Sequence, residues 1–226
     1  RRGLILGAAR PVVPPRFRIP LLMPHTPHRI LWAWLALALL AWLGLPWYAL
    51  SEGQGLAHLH QVFAAPETGS GLAQALQFGR PWLWVVPAAA ALSALGLLQP
   101  AGRRQGAWLM AGGLLGLLGV LGSGFLIGAR GWAFESLNGF WGELAARQGG
   151  MGWGGTVTLA ALLVLAAFGA ARRGAFRGDL FTAAAVWVSG GLLLLFIAFP
   201  VLKALSAALL AENGTLAPLM LWERIA

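Results

Sequence analysis

The chain has 226 residues, 58% of them hydrophobic and only 10% charged, where a soluble domain carries about a quarter charged residues. So apolar a chain has too little polar surface to cover a water-soluble globule, and the surplus must face lipid. It holds no cysteine, which excludes disulfides, thiolate metal sites and cysteine nucleophiles.

Formal net charge is +9, and fifteen of the sixteen basic residues are Arg. The arginines sit in short clusters between apolar runs rather than along one polar helix, which suits lipid phosphates and argues against nucleic acid as a partner. Abundant Ala, Gly, Leu, Arg and Trp with a single Lys point to a GC-rich bacterial genome.

Residues 1–29 carry Arg1, Arg2, Arg10, Arg16, Arg18 and Arg29 without an acid. Pro11, Pro14, Pro15 and Pro20 deny this segment a sustained helix. Met23 lies just ahead of the first apolar run, so residues 1–22 are read as dispensable and need not be native.

The first run, residues 30–50, has no charge; about 20 such residues cross a hydrocarbon core of about 30 Å as a helix. A signal peptide cleaved near Ser51 is the rival reading, but its apolar stretch would be only about 7–15 residues. The following loop, residues 51–80, holds His58 and His60, then PETGSG and an amphipathic stretch ending at Arg80. Zinc sites need three or four ligands at recognisable spacing. His58 and His60, with Glu52 and Glu67 nearby, form no such motif and read as surface residues.

The second run, residues 81–99, opens on Trp82 and Trp84. The third, residues 107–129, contains Gly112/Gly116 and Gly124/Gly128, small residues four apart that let helices approach closely in lipid. This predicts a packed interior helix. Ser123 lies in the same run, but a serine nucleophile needs a base within reach. His25, His28, His58 and His60 all fall outside the runs, so Ser123 reads as a packing residue.

In residues 130–150, Leu137, Phe140, Trp141 and Leu144 share one helical face and predict a short interfacial helix. The fourth and fifth runs are residues 151–171 and 180–202, with Asp179 and Lys203 at the ends of the fifth, where they can snorkel. Ionisable groups at depth are the usual mark of function in membrane spans; these runs carry none, so no proton relay or ion path is expected. Asn213 opens a glycosylation acceptor that means nothing in a bacterial protein.

Arginines cluster before the first run, at Arg103 and Arg104, and at Arg172, Arg173 and Arg177. That makes eleven basic residues on one side against five (Arg80, Arg130, Arg147, Lys203, Arg224) on the other; without residues 1–22 the contrast narrows to six against five. By the positive-inside rule the N-terminus is cytoplasmic. The expected fold is all-α, a polytopic transmembrane helix bundle of about five spans, N-terminus in and C-terminus out. Residues 1–29 form a cytoplasmic segment, residues 30–202 the bundle, and residues 203–226 an extracytoplasmic tail that reads as truncated. No catalytic, cofactor-binding or metal residue is expected, and the chain does not read as an enzyme.

The segments GMGWGG (residues 150–155), RRGAFRGDLF (172–181), FPVLKALSAAL (199–209) and RGWAFESLNGFWGELAARQ (130–148) resemble the N-terminal multi-span extension of bacterial ABC transporter permeases of the ferric iron importer type. The resemblance implies an inner-membrane location and, as partners, the rest of the permease, a cytoplasmic ATPase and a periplasmic solute-binding protein. That family docks its ATPase through a cytoplasmic Glu-Ala-Ala loop, which residues 100–106 and 172–178 do not contain. The resemblance therefore implies a scaffolding segment without the coupling element. The alternative from another class is a free-standing structural or assembly membrane protein.

Overall fold

A computed structural model describes residues 28–49, 63, 68–128, 131–144 and 149–208. His25, His58, His60, Glu52, Glu67, Asn213, Arg130 and the arginines before residue 28 lie outside the described residues.

Helix α1 spans His28–Gly44, six residues short of the apolar run. Pro46 explains the early stop: it lacks an N–H and disfavours helical geometry at Leu45. Leu45 still donates to the Ala41 carbonyl at 3.1 Å, and the chain then extends into β1, Tyr48–Ala49. After α2, Gly71–Leu76, a 3-10 turn at Pro81–Trp84 leads into α3, Val85–Leu97.

Helix α4, Arg103–Leu126, begins four residues before the predicted run and takes Arg103 and Arg104 into its first turn. Beyond it, β2 (Ile127–Gly128) and β3 (Gly131–Trp132) form a hairpin with Ile127 opposite Trp132. A 3-10 turn at Glu135–Leu137 runs into α5, Asn138–Trp141. The predicted face over residues 137–144 thus stops at Trp141. Gly142 adopts a left-handed φ of 78° and donates to the Asn138 carbonyl at 3.0 Å, a helix stop suited to glycine.

Strand β4, Gly150–Met151, pairs antiparallel with β1, Tyr48 facing Met151, and α6 follows over Trp153–Arg172. The last helix is continuous but changes winding: α7 is Leu180–Leu193, a π turn covers Leu194–Ala198, and α8 is Phe199–Ala208. Pro200 supplies the reason, since it cannot donate in the ladder; the Phe199 N–H reaches back to the Leu194 carbonyl. Lys203, placed by the sequence at the start of a tail, lies inside this helix.

Among the described residues three helices are long and apolar enough to cross a membrane, Arg103–Leu126, Trp153–Arg172 and Leu180–Ser206. The His28–Gly44 and Pro81–Leu97 helices are apolar but shorter. Helices α1, α3, α4 and α6 form the bundle, alternating in direction, with a core that includes Leu31, Leu35, Ala89, Leu109, Leu162 and Leu165. A second core cluster, around Trp42, Trp47, Leu83 and Val120, fills one end.

Helix α4 packs between α3 and α6 through its glycines. A Cβ at Gly112 would collide with Ser93 and the Ala89 carbonyl of α3, which bears out the packing role read from that position. On the opposite side, a Cβ at Gly113 would lie 2.7 Å from the Leu162 carbonyl of α6. One at Gly169 of α6 would lie 2.7 Å from the Gly106 carbonyl and closer still to the Met110 amide. Gly124 instead faces the Phe199 ring, and Gly128 has left the helix for β2. Thr158 ties α6 to α1, its hydroxyl donating to the Ala38 carbonyl at 3.2 Å. Helix α7 covers α6 from outside and buries only Ala183.

Candidate functional site

Alternating helix direction sorts the charges. One end of the bundle gathers the start of α1, the end of α3, the start of α4, the end of α6 and the start of α7. Among the described residues it therefore carries Arg29, Arg103, Arg104, Arg172, Arg173 and Arg177 against one acid, Asp179. His28 Nε2 donates to the Leu97 carbonyl at 2.6 Å, tying α1 to α3. Arg103 Nε donates to the Arg173 carbonyl at 3.3 Å, tying α4 to the end of α6.

The turn from α6 to α7 is tight, with Phe176 and Arg177 at left-handed φ of 52° and 57°, a conformation that costs a non-glycine residue about 1–2 kcal/mol. Asp179 then caps α7, accepting from the Phe181 N–H at 3.0 Å and from the Thr182 hydroxyl. The Thr182 hydrogen bond, helped by the backbone N–H groups, holds the Asp179 carboxyl below its ordinary pKa.

At the opposite end, Thr68, Ser70, Gln74 and Arg80 are buried. Ser70 caps α2 by accepting from the Ala73 N–H, and Gln74 donates to the Gly69 carbonyl. The Arg80 guanidinium lies over the Tyr48 ring, 4.0 Å from its centroid. The Arg80–Tyr48 contact ties the residues that follow α2 to β1. Lys203 does not simply snorkel outward: its ammonium donates to the Gly124 carbonyl and, at 3.0 Å, to the Ile127 carbonyl. Both lie at the C-terminal end of α4, where carbonyls lack helical partners and the helix dipole favours a cation.

Beside this end lies a half-open cavity of about 280 Å³, lined along α4 by Leu118, Gly122, Ser123 and Leu126 and closed by Trp82, Trp132 and Trp141. The three indoles meet edge to face: Trp82 is 5.1 Å from Trp132 and 6.2 Å from Trp141, centroid to centroid. Trp132 is steadied by its Nε1–H, which donates to the Gly142 carbonyl at 2.8 Å. Trp82 Nε1 is buried with no hydrogen-bond partner among the described residues.

Ser123 opens onto this cavity, but its hydroxyl donates to the Val120 carbonyl at 2.7 Å, back onto its own helix. Among the described residues no three His, Asp or Glu side chains cluster to hold a metal. Sequence reasoning placed aromatic residues at the edges of the apolar runs, as interfacial Trp suggests, but missed that residues fifty positions apart build one wall. No protein-family model matches the chain, and neither a curated protein nor a solved structure matches it.

Proposed function

We propose that the chain is a five-span scaffold of the bacterial inner membrane, with its arginine-rich end in the cytoplasm, which holds a transport assembly together without conducting its substrate. The observation that carries this reading is the interior of the bundle. Helices α3, α4 and α6 meet backbone to backbone across glycines, and the one buried charge among the described residues, Arg80, sits at an end rather than at depth. A conduit needs polar or ionisable groups facing a cavity within the membrane.

Five spans are supported by the two shorter helices lying alongside the longer ones. The 17 residues of α1 reach about 26 Å, at the lower end of what spans a bilayer, and modest thinning accommodates that shortfall. The orientation is supported by the arginines gathered at one end.

The resemblance to ferric iron importer permeases gives the scaffold its candidate partners: the remainder of a permease, a cytoplasmic ATPase and a periplasmic solute-binding protein. Coupling to an ATPase takes an exposed cytoplasmic helix. Among the described residues, α3 and α4 are separated only by residues 98–102, and α6 and α7 only by residues 173–179. We therefore expect this chain alone to leave the hydrolysis rate of the importer ATPase at its basal value in proteoliposomes. Stimulation that depends on this chain would contradict the scaffold reading. Co-purification of unrelated membrane proteins, with no importer component, would favour a free-standing assembly protein instead.

A further inference from the structure

The arginine-rich end of the bundle holds more positive charge than the acid beside it can neutralise. Among the described residues that end has one carboxylate, Asp179, and it is spent on the α7 cap, accepting from the Phe181 N–H and the Thr182 hydroxyl. No guanidinium group at this end meets a carboxylate among the described residues.

Three of these arginines gather on one face of α4. Arg103, Gly106 and Met110 are spaced i, i+3 and i+7, a single helical stripe. Arg103 opens the stripe, its Nε donating to the Arg173 carbonyl. Both terminal amino groups of Arg103 are left without a partner among the described residues. They pass over Gly174, where a Cβ would stand 3.9 Å from Nη2. The stems of Arg172 and Arg173 lie against bare Gly106: a Cβ there would be 2.9 Å from Arg172 Cβ and 3.1 Å from Arg173 Cγ. Arg173 runs on to Met110, its Nη1 3.9 Å from the Sδ. Arg103 and Arg173 are exposed, and Arg172 is half-buried. Packing thus holds three cations together without a counter-charge, at a cost in self-repulsion that a bound anion offsets. The open edge of the Arg103 guanidinium is a planar fork, which matches a phosphate through two parallel N–H···O bonds.

What surrounds the cluster selects the kind of anion. Leu98 after α3, Phe176 between α6 and α7, and Phe181 at the start of α7 are large apolar side chains exposed at this same end. A soluble polyanion has no apolar part to set against them, whereas a phospholipid carries its phosphate and its acyl chains in one molecule. Helix α4 begins at Arg103 and α6 ends at Arg172, and each is long and apolar enough to cross a membrane.

We propose that Arg103, Arg172 and Arg173 bind the phosphate of an anionic phospholipid at the junction of α4 and α6. The inference rests on these two helices crossing the membrane and is independent of the scaffold reading.

The test titrates the full chain, purified in detergent and stripped of lipid, with phosphatidylglycerol or phosphatidylcholine and counts retained lipids by native mass spectrometry. The wild-type chain should retain one phosphatidylglycerol at concentrations where phosphatidylcholine is not retained. Arg172→Gln combined with Arg173→Gln removes two cations yet keeps the Arg103 hydrogen bond, whose acceptor is backbone. Losing these charge-assisted contacts should weaken phosphatidylglycerol binding about tenfold. Arg103→Lys keeps the charge but not the fork, and should weaken binding by a smaller factor. Arg29→Gln combined with Arg104→Gln removes the same charge from α1 and from beside the stripe, and should leave retention close to wild type. Equal losses in the two double variants would mean diffuse charge and overturn the proposal. Equal retention of both lipids by the wild-type chain would overturn it without recourse to any variant. Displacement of phosphatidylglycerol by an equal concentration of inorganic phosphate, or of an acidic peptide, would overturn the assignment to a lipid.

Discussion

Replacing Gly169 with Leu is expected to pry α6 away from α4 and to abolish recovery of a stable, monodisperse protein. The first added carbon would lie 2.7 Å from the Gly106 carbonyl and closer to the Met110 amide. These are backbone atoms of a helix that is itself packed against α3, so no side chain can swing aside. Overpacking in a core costs about 1–3 kcal/mol, and backbone neighbours place this change at or beyond the top of that range. Gly190 of α7 provides the control, because a Cβ there meets nothing within 4 Å. Thermal unfolding in detergent should show Gly190→Leu close to wild type and Gly169→Leu melting far lower or not expressing. Equal melting of the two variants would contradict the glycine-mediated contact.

Reversing the charge at Lys203 should produce the second large effect. Its ammonium satisfies the Gly124 and Ile127 carbonyls at the end of α4, and hydrogen bonds to charged groups contribute about 1.5–3 kcal/mol. Lys203→Gln retains a neutral donor and should lose part of this. Lys203→Glu places an anion against the negative end of the α4 dipole, and should lose all of it while repelling α8. The expected order of melting temperature is wild type, then Gln, then Glu, with protease cutting near residue 199 rising in the same order. A Glu variant as stable and resistant as wild type would show that Lys203 is not the latch between α8 and α4.

The parts of the fold that depend on local chemistry were legible in the sequence. Helices appear in all five apolar runs, Gly112 faces a neighbouring helix, and Pro46 in hindsight marks where α1 must stop. Partners far apart along the chain were not legible. Gly169 sits in a run of small residues, and nothing local says that it meets Gly106 and Met110. Lys203 near the end of an apolar run suits snorkelling equally well, and only the packing of α8 on α4 turns it toward the Gly124 carbonyl. The predicted interfacial helix was cut short by Gly142, whose left-handed backbone ends α5 after Trp141. The aromatic groove is the furthest from view, since Trp82, Trp132 and Trp141 come together only once the 3-10 turn before α3, the β2–β3 hairpin and α5 converge at one end.

A reporter fused after Gly69 tests the five-span bundle more directly than any other single position. With α1 and the Pro81–Leu97 helix both crossing, Gly69 lies on the opposite side from Gly102 and Gly174. If only the three longer helices cross, Gly69 shares a side with both. Paired alkaline phosphatase and green fluorescent protein fusions read the side of the membrane at each point. A five-span bundle with its arginine-rich end in the cytoplasm gives a periplasmic signal after Gly69 and cytoplasmic signals after Gly102 and Gly174; a cytoplasmic signal at all three would rule it out.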